Sequence, residues 1–105
     1  MSRIYTYEGN TIYESKSYLA ADCANTTLSG FTVKLHIMQN KDDYHALLTA
    51  TGTVSGQGVV FTIPADSNTL DKGTYYYEVV AESSVNKFTL EQDRLFVKES
   101  IVYLS

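Results

Sequence analysis

The sequence predicts a single all-β domain of the two-sheet sandwich type, and three observations carry that prediction. Apolar and polar residues alternate with a period of two in several short segments, the pattern of strands buried on one face. Turn residues separate those segments at sandwich-like spacing. Nine tyrosines and four phenylalanines accompany one proline and no tryptophan, with Val and Thr frequent, a composition that favours strands over helices. A chain of 105 residues is one domain's length. The sandwich is expected over residues 1–100, with 101–105 as an apolar C-terminal tail.

The clearest strand is Phe31 to Ile37, where Phe31, Val33, Leu35 and Ile37 share one face and Thr32, Lys34 and His36 the other. After the polar turn Asn40-Lys41-Asp42-Asp43, Leu48, Ala50, Gly52 and Val54 alternate with Leu47, Thr49, Thr51 and Thr53, which predicts the second strand of a hairpin. Ser55-Gly56-Gln57-Gly58 turns the chain into Val59, Phe61 and Ile63, and Pro64 ends that strand. One short helical turn is expected near 65–71, where Asp66, Ser67 and Asn68 are capping types and Leu70 can reach the core. From Gly73 a central strand runs to Glu82, with Tyr75, Tyr77, Val79 and Ala81 on its apolar side. Phe88 and Leu90 lie out of step with Leu95 and Val97, which requires a bulge near Glu91 to Asp93. At the start, Arg3 to Tyr7 and Thr11 to Ala20 read as two further strands around Glu8-Gly9-Asn10, the second weakly patterned.

About seven antiparallel strands result, the number of an immunoglobulin-like sandwich. Leu70-Asp71-Lys72-Gly73-Thr74-Tyr75 also has the form of a tyrosine corner, with Leu inward, Gly at the turn and the Tyr hydroxyl bonding back to backbone upstream.

Charge and cysteine content narrow the function classes. Lys+Arg 8 against Asp+Glu 12 gives a net charge of −4, so the average field repels phosphate and nucleic acid is not expected as a partner. Cys23 is the only cysteine, so the fold must rest on packing rather than on an intrachain disulfide. Met1 to Tyr7 alternates instead of running into a long apolar stretch, unlike a signal peptide. No window approaches the roughly 20 apolar residues of a membrane helix, and no membrane association is expected.

Three segments carry a family resemblance: Gly9-Asn10-Thr11, Leu28 to Ile37, and Leu70 to Val79. In order and spacing they resemble the small immunoglobulin-like structural domains of tailed bacteriophages, similar to the N-terminal domains of baseplate upper proteins and to stand-alone virion accessory proteins. The family commonly has Gly-Asp-Thr, Leu-Thr-Gly-Ala-Thr-Val and Leu-x-x-Gly-x-Tyr-x-Tyr at these places. Here Asn10 replaces the Asp, and Tyr18 to Leu28 lacks the Asp-Gly turn of many members. The resemblance implies a non-enzymatic virion structural protein that binds other phage structural proteins as a tail, baseplate or neck connector or as a capsid decoration. It implies a homo-oligomer or a place in a symmetric assembly, put together in the host cytoplasm.

No residue set reads as a catalytic or cofactor site. Asp42, Asp43 and His45 are close in sequence, but they fall in a polar turn where acidic residues serve solvation and turn geometry. Cys23 beside Asp22 has nothing flanking it that would lower its pKa. Ser55-Gly56-Gln57-Gly58 lacks the Lys and helix of a phosphate loop. Asn25-Thr26-Thr27 is a glycosylation sequon with meaning only on a secretory route. No acid, base and nucleophile can be assembled, and no cofactor or metal is expected.

The tyrosines are the candidate functional residues. Tyr75 and Tyr77 are assigned to the corner and the core. The remainder exceed what so small a core can bury, and exposed aromatics are enriched at protein interfaces. Tyr5, Tyr7, Tyr13 and Tyr76 are the candidate interface in the body of the domain. Ile101, Val102, Tyr103 and Leu104 extend it into the tail, which either folds back or docks on a neighbour by strand addition, the second being favoured. Arg3 to Tyr7 is the other candidate edge. An adhesion or carbohydrate-binding module that stacks sugars on the tyrosines is the alternative.

Overall fold

The computed structural model describes residues 3–18, 28, 30–40 and 45–99. Asp22, Cys23, the Asn25 sequon, Asp42, Asp43 and the tail residues Ile101, Val102, Tyr103 and Leu104 lie outside the described residues. So does the end of the second strand expected to reach Ala20.

The chain is all-β, with eight strands in two sheets among the described residues. In chain order they are β1 (Ile4–Tyr7), β2 (Ile12–Ser17), β3 (Thr32–Met38), β4 (Leu48–Thr51), β5 (Thr53–Ser55), β6 (Gly58–Ile63), β7 (Gly73–Glu82) and β8 (Lys87–Lys98). The larger sheet runs β1-β8-β7-β3-β4 and the smaller β2-β6-β5. A 3-10 turn at Ala65–Ser67 follows Pro64, where a helical turn is expected. Asn68 behind it is buried. Its amide donates to the carbonyls of Asn10 and Tyr7, and its carbonyl oxygen accepts from the backbone of Leu70.

Alternation decides which face each strand gives to the core. Val33, Leu35 and Ile37 of β3 and Tyr75, Tyr77, Val79 and Ala81 of β7 point inward from the larger sheet. Ile12, Val59, Phe61 and Ile63 meet them from the smaller one in a single cluster. A fully buried Val, Leu, Ile or Phe is worth about 1.5–3 kcal/mol, so this cluster supplies most of the driving force.

Two features depart from expectation. The segment Leu48 to Val54 is not one strand: β4 pairs with β3, whereas β5 pairs with β6 in the other sheet. Gly52 is the pivot. Its amide still bonds Val33 O at 2.8 Å, and a Cβ there would stand 2.2 Å from Val59 Cγ2 and 2.8 Å from Phe61 Cε1, a space open only to glycine. The strands are also not all antiparallel, because β1 pairs parallel with β8, Ile4 opposite Leu95 and Tyr7 opposite Lys98.

The required bulge is present one residue early. Val79 faces Glu91 and Val80 faces Thr89, which leaves Leu90 unmatched. This resets the parity of β8, so Glu91, Asp93, Leu95 and Val97 share the inward side while Arg94, Phe96 and Lys98 turn outward.

Candidate interaction surface

The parallel β1–β8 pairing builds a patch on the outer face of the larger sheet. Ile4 and Thr6 are buried, so Tyr5 and Tyr7 point away from the core, 58% and 47% exposed. Tyr5 sits opposite Phe96 and stacks on it, ring centroids 5.2 Å apart and planes at 18°. Arg3 Cζ lies 6.0 Å from the Phe96 ring centre and Lys98 Nζ 5.6 Å from that of Tyr5. On the next strand Tyr76 is opposite Arg94 and half-buried. The rings are therefore framed by Arg3, Arg94 and Lys98. Among the described residues none of these three cations has a carboxylate partner, in contrast to Lys16 with Glu91 and Lys72 with Glu99.

Of the candidate tyrosines, Tyr5, Tyr7 and Tyr76 are thus brought onto one face. Tyr13 is 61% exposed but belongs to β2 in the other sheet, on the outward side of that strand. Arg94, Phe96 and Lys98 were not singled out from the sequence, and Arg3 was named only as the start of a candidate edge. The alternation of Arg94, Phe96 and Lys98 with Leu95 and Val97 is legible there, whereas the parallel pairing that sets them beside Tyr5 is not.

A second polar feature lies between the sheets. Along β2, Ile12, Glu14, Lys16 and Tyr18 share the inward parity. Lys16 Nζ stands 3.2 Å from each carboxylate oxygen of Glu91 and 5.2 Å from the Tyr77 ring centre. Tyr18 donates to Glu91 Oε1 at 2.9 Å and Tyr77 donates to Oε2. Burial, then its hydrogen bond to Glu91, holds the Tyr77 phenol well above the ordinary tyrosine range. Burial also raises the Glu14 carboxyl above its ordinary value, opposed by Lys16 and reinforced by Glu91. The cluster satisfies its own polar atoms, and its members are held in place by one another rather than aimed into an open cavity. It is structural, and the inward charges of β2 also discourage pairing along that open edge.

Further along the outer face, a groove of about 260 Å³ is lined by Thr32, Lys34, His36, Glu78, Val80 and Lys87, among others. Its charges alternate in sign, and His36 Nδ1 is 3.2 Å from Thr49 Oγ1. Among the described residues no group of three or more His, Cys, Asp or Glu is placed to hold a metal ion. No helix among them is long and apolar enough to cross a membrane.

No protein-family model and no curated protein matches the chain. Among solved structures it is similar to an uncharacterized protein from Bacillus anthracis str. Ames, at 16% sequence identity and a TM-score of 0.44, over 90% of this chain and 77% of that one.

Proposed function

We propose that this chain is a non-enzymatic structural domain that binds a neighbouring protein through the outer face of β1, β8 and β7. The observation that carries this reading is the exposed tyrosine and arginine patch. Tyr and Arg dominate protein-interface hot spots, because each contributes a large contact area together with polar contacts. Tyr5 and Tyr7 remain exposed there while Ile4 and Thr6 beside them are buried, and among the described residues Arg3 and Arg94 have no carboxylate partner.

We also read the fold as an immunoglobulin-like sandwich. Its support is the division into β2-β6-β5 and β7-β3-β4 with β8, together with the Tyr75 hydroxyl bonding Asp71 O at 2.9 Å. One departure is that β1 leaves the smaller sheet to join β8. The bacteriophage virion as the setting, with tail, baseplate, neck or capsid proteins as neighbours, rests on the resemblance of the segments at Gly9, Leu28 and Leu70.

The test is light scattering behind size exclusion on the full chain and on a Tyr5→Ser/Tyr7→Ser variant, both sites being exposed. The reading expects the wild type to assemble and the variant to be monomeric with an unchanged circular dichroism spectrum. Monomers in both cases, with saturable glycan binding lost in the variant, would replace it by the carbohydrate-binding alternative.

A further inference from the structure

We propose that two copies of this chain pair antiparallel along their β1 strands, about a two-fold axis at Tyr5, so that their five-stranded sheets run on as one. This rests on the reading of the chain as a protein-binding domain, and it names the partner and the mode of contact.

The backbone sets the register. Glu8 donates its N–H to Lys98 O at 2.9 Å, so the even-numbered residues of this segment face β8. The N–H and C=O groups alternate in direction along a strand, which turns those of Arg3, Tyr5 and Tyr7 toward the edge away from β8. The Tyr7 carbonyl is already taken there, by the Asn10 amide and the Asn68 side chain. Antiparallel pairing centred on Tyr5 uses what remains. The two Tyr5 residues exchange N–H to C=O bonds, and each Tyr7 N–H reaches the partner's Arg3 carbonyl. Centring on Thr6 would need the Tyr7 carbonyl, and centring on Ile4 would leave Tyr7 with no described residue opposite.

The side chains fit the same register. Residues directly opposite share a face, so Tyr5 meets the partner's Tyr5 and Arg3 the partner's Tyr7 on the outer side, with Ile4 opposite Thr6 on the core side. Arg3 Cζ already lies over the outward Phe96 ring at 6.0 Å, so its guanidinium is on the right face to meet a second ring. The two arginines stand about 13 Å apart along the sheet, beyond the roughly 8 Å screening length at physiological salt. The two-fold axis repeats both the arginine–ring contact and the Tyr7 bond, which an arbitrary strand would not do. β1 also lacks the devices that guard an edge: Ile4–Tyr7 carries no charge, proline or bulge, whereas β2 turns Glu14 and Lys16 inward.

The experiment is sedimentation velocity on the full chain, on Tyr5→Pro and on Tyr5→Ser, with circular dichroism as the check on the fold. Proline removes the N–H that points to the open edge and leaves the β8 ladder intact, a placement edge strands tolerate. The wild type is expected to dimerise, Tyr5→Ser to dimerise more weakly, and Tyr5→Pro to be monomeric. Tyr5→Cys and Tyr13→Cys, each made with Cys23→Ser, give a second readout that needs no proline. Cα atoms of a hydrogen-bonded antiparallel pair lie about 5.5 Å apart, within the roughly 4.4–6.8 Å that a disulfide spans. On mild oxidation Tyr5→Cys is expected to form a covalent dimer at least about tenfold faster than Tyr13→Cys, which is exposed on the other sheet. Equal rates overturn the inference, as does a wild type that stays monomeric. Assembly kept in Tyr5→Pro but lost in Tyr5→Ser/Tyr7→Ser also overturns it, while leaving the protein-binding reading of the outer face in place.

Discussion

Lys16 on β2 and Glu91 on β8 form an ion pair between the two sheets, with Nζ 3.2 Å from both carboxylate oxygens and the side chains only 8% and 10% exposed. The Tyr18 and Tyr77 hydroxyls complete the carboxylate's hydrogen bonds. Breaking a pair so desolvated leaves one charge without its partner.

Lys16→Met is therefore expected to destabilise the fold by about 3–5 kcal/mol. Urea unfolding checks this as a lower midpoint at an unchanged slope. Adding Glu91→Gln to Lys16→Met is expected to recover part of the loss, because neither member of the pair is then left charged without its partner. A double variant as unstable as the two single losses summed would show that the residues act independently.

Glu14 sets a pH dependence of the opposite sense to an ordinary salt-bridged carboxylate. Its folded pKa is raised, by burial first, from an ordinary value of 4.5. The folded state thus holds this proton to higher pH than the unfolded state. Its contribution to stability is full below the ordinary value and is lost as pH rises through the folded one. Glu14→Gln is expected to be more stable than wild type at neutral pH, the difference vanishing as pH falls below 4.5. Denaturant midpoints against pH check this, and parallel curves for the two proteins would contradict it.

The hydroxyl of Tyr75 holds the turn into β7 by its bond to Asp71 O. Tyr75→Phe keeps the buried ring and removes that bond, and it is expected to cost about 0.5–1.5 kcal/mol. A thermal scan that shows no loss would mean the corner is held by Leu70 and the turn alone.

Gly52 is required by space rather than by backbone angle. Gly52→Ala drives a methyl against Val59 and Phe61, both essentially buried, and is expected to cost about 1–3 kcal/mol. Gly52→Ala combined with Val59→Ala makes room for the methyl, so the combined loss should fall short of the two single losses summed.

Individual strands were legible in the sequence wherever one face is buried. Val33, Leu35 and Ile37, then Tyr75, Tyr77, Val79 and Ala81, and then Val59, Phe61 and Ile63 all follow the alternation that the core imposes. Pro64, Gly56 and the corner at Tyr75 were legible because each carries a local backbone requirement. Pairing was not, since alternation is silent on neighbours: nothing local says that β1 runs parallel to β8 or that the chain changes sheet at Gly52. Lys16 and Glu91 were missed for a related reason. A charged residue at an inward position reads as a weak strand until its opposite charge is seen across the sheets, 75 residues away. The same holds for the patch. Tyr5, Tyr7 and Tyr76 stood out as aromatics too many for the core, but Arg3, Arg94 and Phe96 join them only once the sheet order is known.

Hydrogen exchange followed by mass spectrometry, at low and high protein concentration, tests the interaction surface most directly. Among the described residues β1 is an edge strand, with no strand partner on the side away from β8. Docking on this face should slow exchange in peptides covering residues 3–7 and 94–98 as the particle mass rises, with Tyr5→Ser/Tyr7→Ser abolishing both changes. A rise in particle mass that leaves exchange in these two segments unchanged, with protection only elsewhere, would contradict the account.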